Sequence, residues 1–383
     1  MRVATRLLAV AATGILLLTA CTAASPTPGA SAGSSAGAST GDVLDPPPDD
    51  ASVQEKLDWL ADSGLEGEER RAFLIEQAAA AGPVGMYGSL DEEILNEWQQ
   101  RLDEEFPELE IQIVRTQEQF ERIRAESAAG QPFASVFDGD PGGMALALEE
   151  GGYFASYFSP EAEDFDVGLS GMVHPDGLYV VHSQQPMVAF YNSDLITPDE
   201  LPDTIEELAD PSFDTPFARS RFGERWLKAM MESYGEDRAV ELAESIATKE
   251  FIITDSNTGA REAVTVGQAP FGIDTQFGGI LDAIEAGAPL EWHLIEPVFA
   301  DVGTVSIMSD APNPYGAVLV LDWILSADGG QTTFVGNTLG PRPDMDYQVE
   351  GIGHLVGEMI GYTPELLADI GPVEEIWLEL FVR

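Results

Sequence analysis

Apolar residues recur along this chain in two rhythms, one helical and one alternating. The stretch "VQEKLDWLADSGLEGEERRAFLIEQAAAAG" carries Leu57, Leu60, Phe73 and Leu74 at helical spacing and is interrupted at Gly64. It predicts two helices on the outside of a core, in a segment over 51–82. From Pro83 strands and helices alternate. "PVGMY" reads as a strand. Ser89 with Glu92 reads as a capping box, and Ile94, Leu95, Trp98, Leu102 and Phe106 follow at helical spacing. "LEIQIV" alternates as a strand, Phe120 and Ile123 mark a second helix, and "FASVF" is a buried strand before a helix around Met144 and Leu148. This βαβαβ order implies a parallel sheet with right-handed crossovers.

A second block repeats the logic. "PMVAFY" is a strand, with helices around Ile205 to Leu208 and Phe222 to Tyr234. Then come "FIIT", a helix from Gly259 to Val266, and "APFGI". "VGTVSIM" gives a last strand, and a long helix is expected from Tyr315 to Val335. No internal repeat is present. About 330 residues from Ser52 onward are enough for two domains.

The beginning of the chain is different in kind. Arg2 and Arg6 precede an uncharged run from Leu7 to Leu18, then the small residues Thr19 and Ala20, then Cys21, the only cysteine of 383 residues. Basic, apolar and small, in that order, is the pattern of an export signal over 1–20, and the apolar run is short for a spanning helix. The residues Leu18, Thr19, Ala20 and Cys21 resemble the lipobox of bacterial lipoproteins. The resemblance implies that Cys21 becomes the first mature residue and carries lipid, anchoring the protein to the membrane. Residues 21–50, with "SPTPGASAGSSAGASTG" and "DPPPDD", have almost nothing apolar to bury and are expected to form a disordered tether reaching roughly 30 Å. Gly37, Ser39 and Gly41 spell G-x-S-x-G there, but a nucleophile elbow needs a strand before it and a helix after it.

Charge narrows the partners. The chain carries 18 Lys and Arg against 67 Asp and Glu, a net charge of -49. So acidic a surface repels phosphate backbones and anionic membrane faces, which excludes nucleic acid as the expected partner. Self-repulsion on this scale suits a salty setting, where it is screened. The enzyme motifs H-E-x-x-H and G-x-x-x-x-G-K-[ST] are absent, and paired carboxylates say little in so acidic a chain. His174, His182, His293 and His354 show no metal spacing. No enzyme activity, cofactor or metal is expected.

Five stretches occur in order between Phe73 and Asp344: "FLIEQAAAAGPVGMYGSLDEE", "ASVFDGDPGGMALALEEGGYFASYFSPEA", "PMVAFYNSDLITPDELPDTIEELADPSF", "SDAPNPYGAVLVLDWILSADGGQ" and "GPRPD". They resemble the extracellular solute-binding proteins of bacterial ABC importers, near the branch of the ferric-iron binders and their relatives for small polar or phosphorylated ligands. The resemblance implies an α/β fold of the class II periplasmic-binding-protein type, two domains with a ligand cleft between them. Residues 83–183 and 294–383 would form domain 1, with the C-terminal part able to cross back, and 184–293 domain 2. It implies a monomer that captures a small polar ligand outside the cytoplasm and delivers it to an ABC permease. A ligand-sensing lipoprotein and a ferric-iron importer component are the alternatives. Over 211–225 the family's usual strand and loop look shortened.

In open parallel sheets, ligands sit beyond the carboxyl ends of strands, against helix N-termini. That rule selects Tyr87 and Ser89, Asp138 and Asp140, Ser256, Asn257 and Thr258, and Asp274 and Gln276; Tyr191, ending "MVAFY", joins them. Ser89 and Asp140 also read as helix caps, and Asn192 as a turn former. Gln184 and Gln185 fall near the expected interdomain crossing, and Arg342 reads as a structural partner of a carboxylate. The iron binders of the family place adjacent tyrosines just after the strand that reads "PFGI" here. This chain has Gln276 and Phe277 in that register, which argues against ferric binding.

Overall fold

The structure, a computed structural model, describes residues 45–382 apart from 117, 164, 166–171, 337, 350, 356 and 357. The export signal, Cys21 and most of the tether lie outside the described residues.

Two helices come first, α1 (Val53–Asp62) and α2 (Gly67–Ala81), separated around Gly64, which sits at φ 69° where a side chain would be strained. Ser52 and Glu55 form a reciprocal capping box at the start of α1. The first α/β unit follows as β1 (Val84–Gly88), α3 (Glu92–Glu105), β2 (Ile111–Arg115), α4 (Gln119–Ala129), β3 (Ala134–Gly139), α5 (Pro141–Glu150) and the short β4 (Phe154–Ala155). β1 lies between β2 and β3 and is parallel to both. The chain then enters β5 (Val180–Asn192), and a second unit follows as α6 (Ile205–Ala209), β6 (Phe217–Ser220), α7 (Glu224–Tyr234), α8 (Glu236–Ala247), β7 (Phe251–Thr254), α9 (Asn257–Thr265), β8 (Phe271–Gln276), α10 (Phe277–Glu285) and β9 (Leu290–His293). It returns through β10 (Phe299–Met308) to α11 (Pro314–Leu325) and ends in β11 (Ile360–Gly361), α12 (Pro364–Leu367) and α13 (Gly371–Trp377).

The strands join in the order β2-β1-β3-β10-β5-β8-β6-β7. Two of them belong to both halves. β10 pairs antiparallel with β3 through Thr304 to Ile307 and with β5 from Phe299 to Val305, and the far end of β5 pairs with β8 and β9. At the crossing the register shifts between Gly303 and Thr304. A Cβ on Gly303 would meet the His182 ring and Ser183 Oγ at 2.5 Å, so the two long strands pass only because this position has no side chain. The molecule is therefore an α/β protein of two lobes joined by crossing strands.

Apolar periodicity places the core. Trp98, Phe137, Val305 and Ile324 are buried in a cluster that continues through Phe190 to Phe277 and Ile280 on one face of the second lobe's strands. On the opposite face Phe217, Leu227, Met230, Ile246 and Phe271 form a second cluster, and Trp377 and Phe381 from the end of the chain pack into it. β3 and β8 are covered on both faces and buried along nearly their whole length, apolar at their starts and polar only toward their carboxyl ends.

Three local expectations are corrected. The helix expected from Tyr315 to Val335 stops at Leu325, and a 3-10 turn over Gly330–Phe334 follows. The break falls at Gly329 and Gly330: a Cβ on Gly329 would stand 2.4 Å from the Trp323 carbonyl oxygen. Periodicity hides the break because Phe334 still faces the core. Asp91, not Ser89, is the N-cap of α3, and Ser89 bonds to Asp138 instead of Glu92. Residues 211–225 hold a strand after all: β6, paired in parallel with both β7 and β8.

Candidate ligand-binding site

Because β6, β7 and β8 run parallel, their carboxyl ends reach one edge, where α7, α9 and α10 begin. A cavity of about 280 Å³ lies there, closed on one side by Met187 and Asp301 of the crossing strands. Ser256, Asn257, Asp274 and Gln276, chosen by the strand-end rule, line it together. Their contacts are local and polar. Ser256 caps α9 by accepting the Gly259 N–H at 3.0 Å, and the Asn257 amide donates to Gln276 Oε1 at 2.7 Å. Gln276 Nε2 reaches Asp301 Oδ2 at 3.4 Å, and Asp301 pairs with Arg225 at 3.3 Å.

Asp274 is the deepest charged group in the lining. Its backbone is left-handed, φ 59°, a conformation that Asp tolerates better than most residues. The carboxylate accepts from Arg219 Nη2 and from the Tyr362 hydroxyl, both at 3.2 Å. Burial pushes its carboxyl up to about 6, against the pull of Arg219. Arg219 itself is fully buried, with its guanidinium 4.0 Å from the Trp377 ring centroid and 5.0 Å from that of Trp226. Burial pushes that guanidinium down, to about 10. The aromatic faces hold the cation, and the cation holds Asp274 in place. Burial and Asp274 push the Tyr362 phenol well above its ordinary range, so it stays a donor.

The other predicted residues are placed elsewhere. Asp138 is fully buried and accepts the Ser89 N–H at 2.8 Å, the Ser89 hydroxyl at 3.2 Å and a contact from His182 Nε2 at 2.9 Å. Asp140 is the N-cap of α5, accepting from Gly142 and Gly143. The Tyr87 hydroxyl donates to Glu126 at 2.6 Å under the Arg122 guanidinium; burial and that carboxylate push the phenol up to about 12. The Tyr191 hydroxyl donates to its cross-strand neighbour Glu291, and its phenol is likewise pushed up to about 12, first by burial. Thr258 is exposed beside the cavity and does not line it. Gln184 is buried at the crossing, and Arg342 pairs with Asp344 and Glu161.

Sequence reasoning missed Ser220, Phe222, Glu224, Arg225, Asp301 and Tyr362, all in the lining. Ser220 ends β6 and the next three follow it, and the strand is a four-residue segment with Arg219 inside it. The strand-end rule would have selected them had the strand been recognised. Among the described residues, no group of three or more His, Cys, Asp or Glu is placed to hold a metal ion.

Comparison with known proteins agrees with this architecture. The family of bacterial extracellular solute-binding proteins matches residues 87–331. No curated protein sequence matches the chain significantly. Solved structures similar to it include iron-bound HitA from Pseudomonas aeruginosa, with 14% identity, TM-score 0.64, and coverage of 78% of this chain and 99% of that one. FutA from Trichodesmium, in complex with iron and citrate, has 18% identity and TM-score 0.63 over 78% and 98% of the two chains. AfuA from Actinobacillus pleuropneumoniae, with fructose-6-phosphate bound, has 19% identity and TM-score 0.58 over 78% and 98%. The chain belongs to the bacterial extracellular solute-binding protein family, extracytoplasmic proteins of the ABC-importer type. Its fold is that of the two-domain periplasmic-binding proteins of class II.

Proposed function

We propose that this protein is a lipid-anchored receptor that captures a small polar organic solute at the carboxyl ends of β6, β7 and β8 and hands it, as a monomer, to an ABC permease. The observation that carries the reading is the cavity where Ser256, Asn257, Asp274 and Gln276 converge with Arg225 and Asp301. Helix N-termini and Arg225 offer donors, while Glu224, Asp274 and Asp301 offer acceptors, so a ligand with both hydroxyl or amine and anionic groups would find partners. Closure of the first lobe over this wall would bring the loops at Ser89 and Asp140 toward it. Anchoring rests on the lipobox ending at Cys21, and with no enzyme motif in the chain, capture and release rather than turnover is the chemistry proposed.

The cargo is not ferric ion. Gln276 spends its amide on Asn257, Phe277 is buried against Trp292 and carries no ligand atom, and Tyr362, the one tyrosine in the lining, already donates to Asp274. A hard trivalent ion wants phenolate or carboxylate oxygens in a set. The test is thermal unfolding of the soluble body, residues 52–383, against a panel of polyols, sugar phosphates, amino acids and amines. A solute at 100 times its dissociation constant adds about 2.7 kcal/mol. Stabilisation that Gln276→Ala abolishes is expected. A coloured, citrate-resistant ferric complex lost in Tyr362→Phe would overturn the choice of cargo.

A further inference from the structure

The hydrogen bonds that line the strand-end cavity run in one direction. Asp301, on the crossing strand β10, carries a carboxylate that only accepts. Its Oδ1 takes Arg225 Nη1 at 3.3 Å, and its Oδ2 takes Gln276 Nε2 at 3.4 Å. Because Gln276 turns its nitrogen to Asp301, its oxygen is left for Asn257, whose nitrogen donates to it at 2.7 Å. One acceptor-only group therefore sets both amides. The chain of donors ends on the Asn257 oxygen, which has no protein donor among the described residues.

The opposite wall has the same polarity. The Tyr362 hydroxyl donates to Asp274 Oδ1, and Arg219 Nη2 donates to Oδ2, both at 3.2 Å. With its proton turned inward, the Tyr362 oxygen can only accept from a solute. Arg225 is tied to Asp301, and its Nη2 is turned to the start of α5, where a Cβ on Gly142 would stand 3.3 Å from it. Three carboxylates, Glu224, Asp274 and Asp301, thus stand against two guanidiniums, Arg225 and the Arg219 behind Asp274. These carboxylates are not on the open surface: Asp274 is 9% exposed, the Asp301 side chain is 29% exposed, and Glu224 is half-buried. Water therefore screens their charge less than it would outside.

We propose, on the reading that this cavity is the solute site, that its wall selects a solute that donates hydrogen bonds: a hydroxylated amine such as an amino sugar, in preference to a sugar phosphate. Hydroxyl groups meet the oxygens of Asn257 and Tyr362, and an ammonium group meets Asp301 or Glu224. Phe222 lies at the rim, 62% exposed, and offers an apolar surface to the carbon skeleton. A phosphate brings only acceptor oxygens to groups whose protons already point elsewhere, into a space with an excess of negative charge. At about 280 Å³ the cavity sits at the small end of sites for organic ligands, which run from roughly 300 to 1,000 Å³, so it suits a single ring.

The test is calorimetric titration of the mature chain at pH 7 with glucosamine, glucose and glucose 6-phosphate, which share a ring and differ in charge. Saturable binding of glucosamine is expected, about tenfold weaker for glucose and about a hundredfold weaker for glucose 6-phosphate. Asp301→Asn removes the acceptor-only group and releases Arg225, so it should narrow the gap between glucosamine and glucose 6-phosphate by about tenfold. Glu224→Gln keeps the side chain's shape and should narrow the gap by about threefold. A role in packing alone would weaken all three sugars together. The proposal is overturned if glucosamine fails to bind, or if its lead over glucose 6-phosphate is unchanged in both variants. Glucose 6-phosphate binding as tightly as glucosamine, and lost in Gln276→Ala, overturns the polarity and keeps the cavity as the site. Glucosamine binding that survives Gln276→Ala in full overturns both.

Discussion

At the carboxyl end of β3, Asp138 is wholly buried and accepts from the Ser89 backbone and hydroxyl, with His182 against its other side. At the carboxyl end of β8, Asp274 likewise meets a buried basic side chain and a hydroxyl, yet it lines a cavity. The two loops are alike in sequence terms: a short apolar strand, then Asp and small polar residues, then a helix. What separates them is where the partners come from. His182 stands on a crossing strand behind β3 and draws Asp138 inward, whereas Arg219 stands on neighbouring β6 and leaves the mouth of the strand clear. Topology selects where a ligand can sit, and neighbouring side chains decide which loop is still free to take one.

The comparison breaks most sharply at Asp138. Replacing it by Ala removes the acceptor for three donors and leaves the His182 ring nitrogen buried without it, so urea unfolding is expected to show a loss of about 3 kcal/mol with solute affinity unchanged in the folded fraction. A loss of affinity at unchanged stability would put the first lobe's loop in the site after all.

Asp274 sharpens the contrast through pH. Its folded carboxyl titrates near 6 against an ordinary 3.8, so between about 4 and 6 the folded state holds more protons than the unfolded chain. Stability therefore falls as pH rises through that window, by up to about 3 kcal/mol. Arg219, Asp301, Glu224 and Tyr362 surround the group, and Arg219 limits the effect. Asp274→Asn should remove this slope, whatever its effect on absolute stability; a slope that survives the substitution assigns it to another group.

The smallest effect on stability belongs to Asn257, whose single amide bond to Gln276 borders the cavity and can be replaced by water. Asn257→Ala should change unfolding free energy by within about 0.5 kcal/mol and weaken solute binding about tenfold. A large destabilisation would make it a structural residue like Asp138.

Much of the fold was legible because apolar spacing reports which face of each element is buried. Leu57, Leu60, Leu95, Trp98 and Leu102 were read as buried and are. The strand-end rule found Ser256, Asn257, Asp274 and Gln276 because their strands are apolar enough to recognise. It missed Ser220 and Arg225 because β6 is only "FARS", with a charged residue inside it. Little that is local announces that this arginine is buried, since two of the three rings that cover it, Trp377 and Phe381, lie more than 150 positions away. Tyr87 and Tyr191 show the converse failure: both stand at strand ends, and both turn to a glutamate on an adjoining element. A strand-end position fixes where the backbone goes and leaves the side chain's direction open.

The stacking of Trp377 and Phe381 on Arg219 has a consequence for the order in which the protein can be finished. The second lobe's strands are complete by residue 293, but of the rings that cover the arginine bracing Asp274 only Trp226 is then in the chain, and Trp377 and Phe381 follow much later. During synthesis, which proceeds from the amino end, the cavity wall thus stays only partly braced while more than eighty further residues emerge. The wall of the proposed site therefore takes its final form late, once the last residues of the chain are in place.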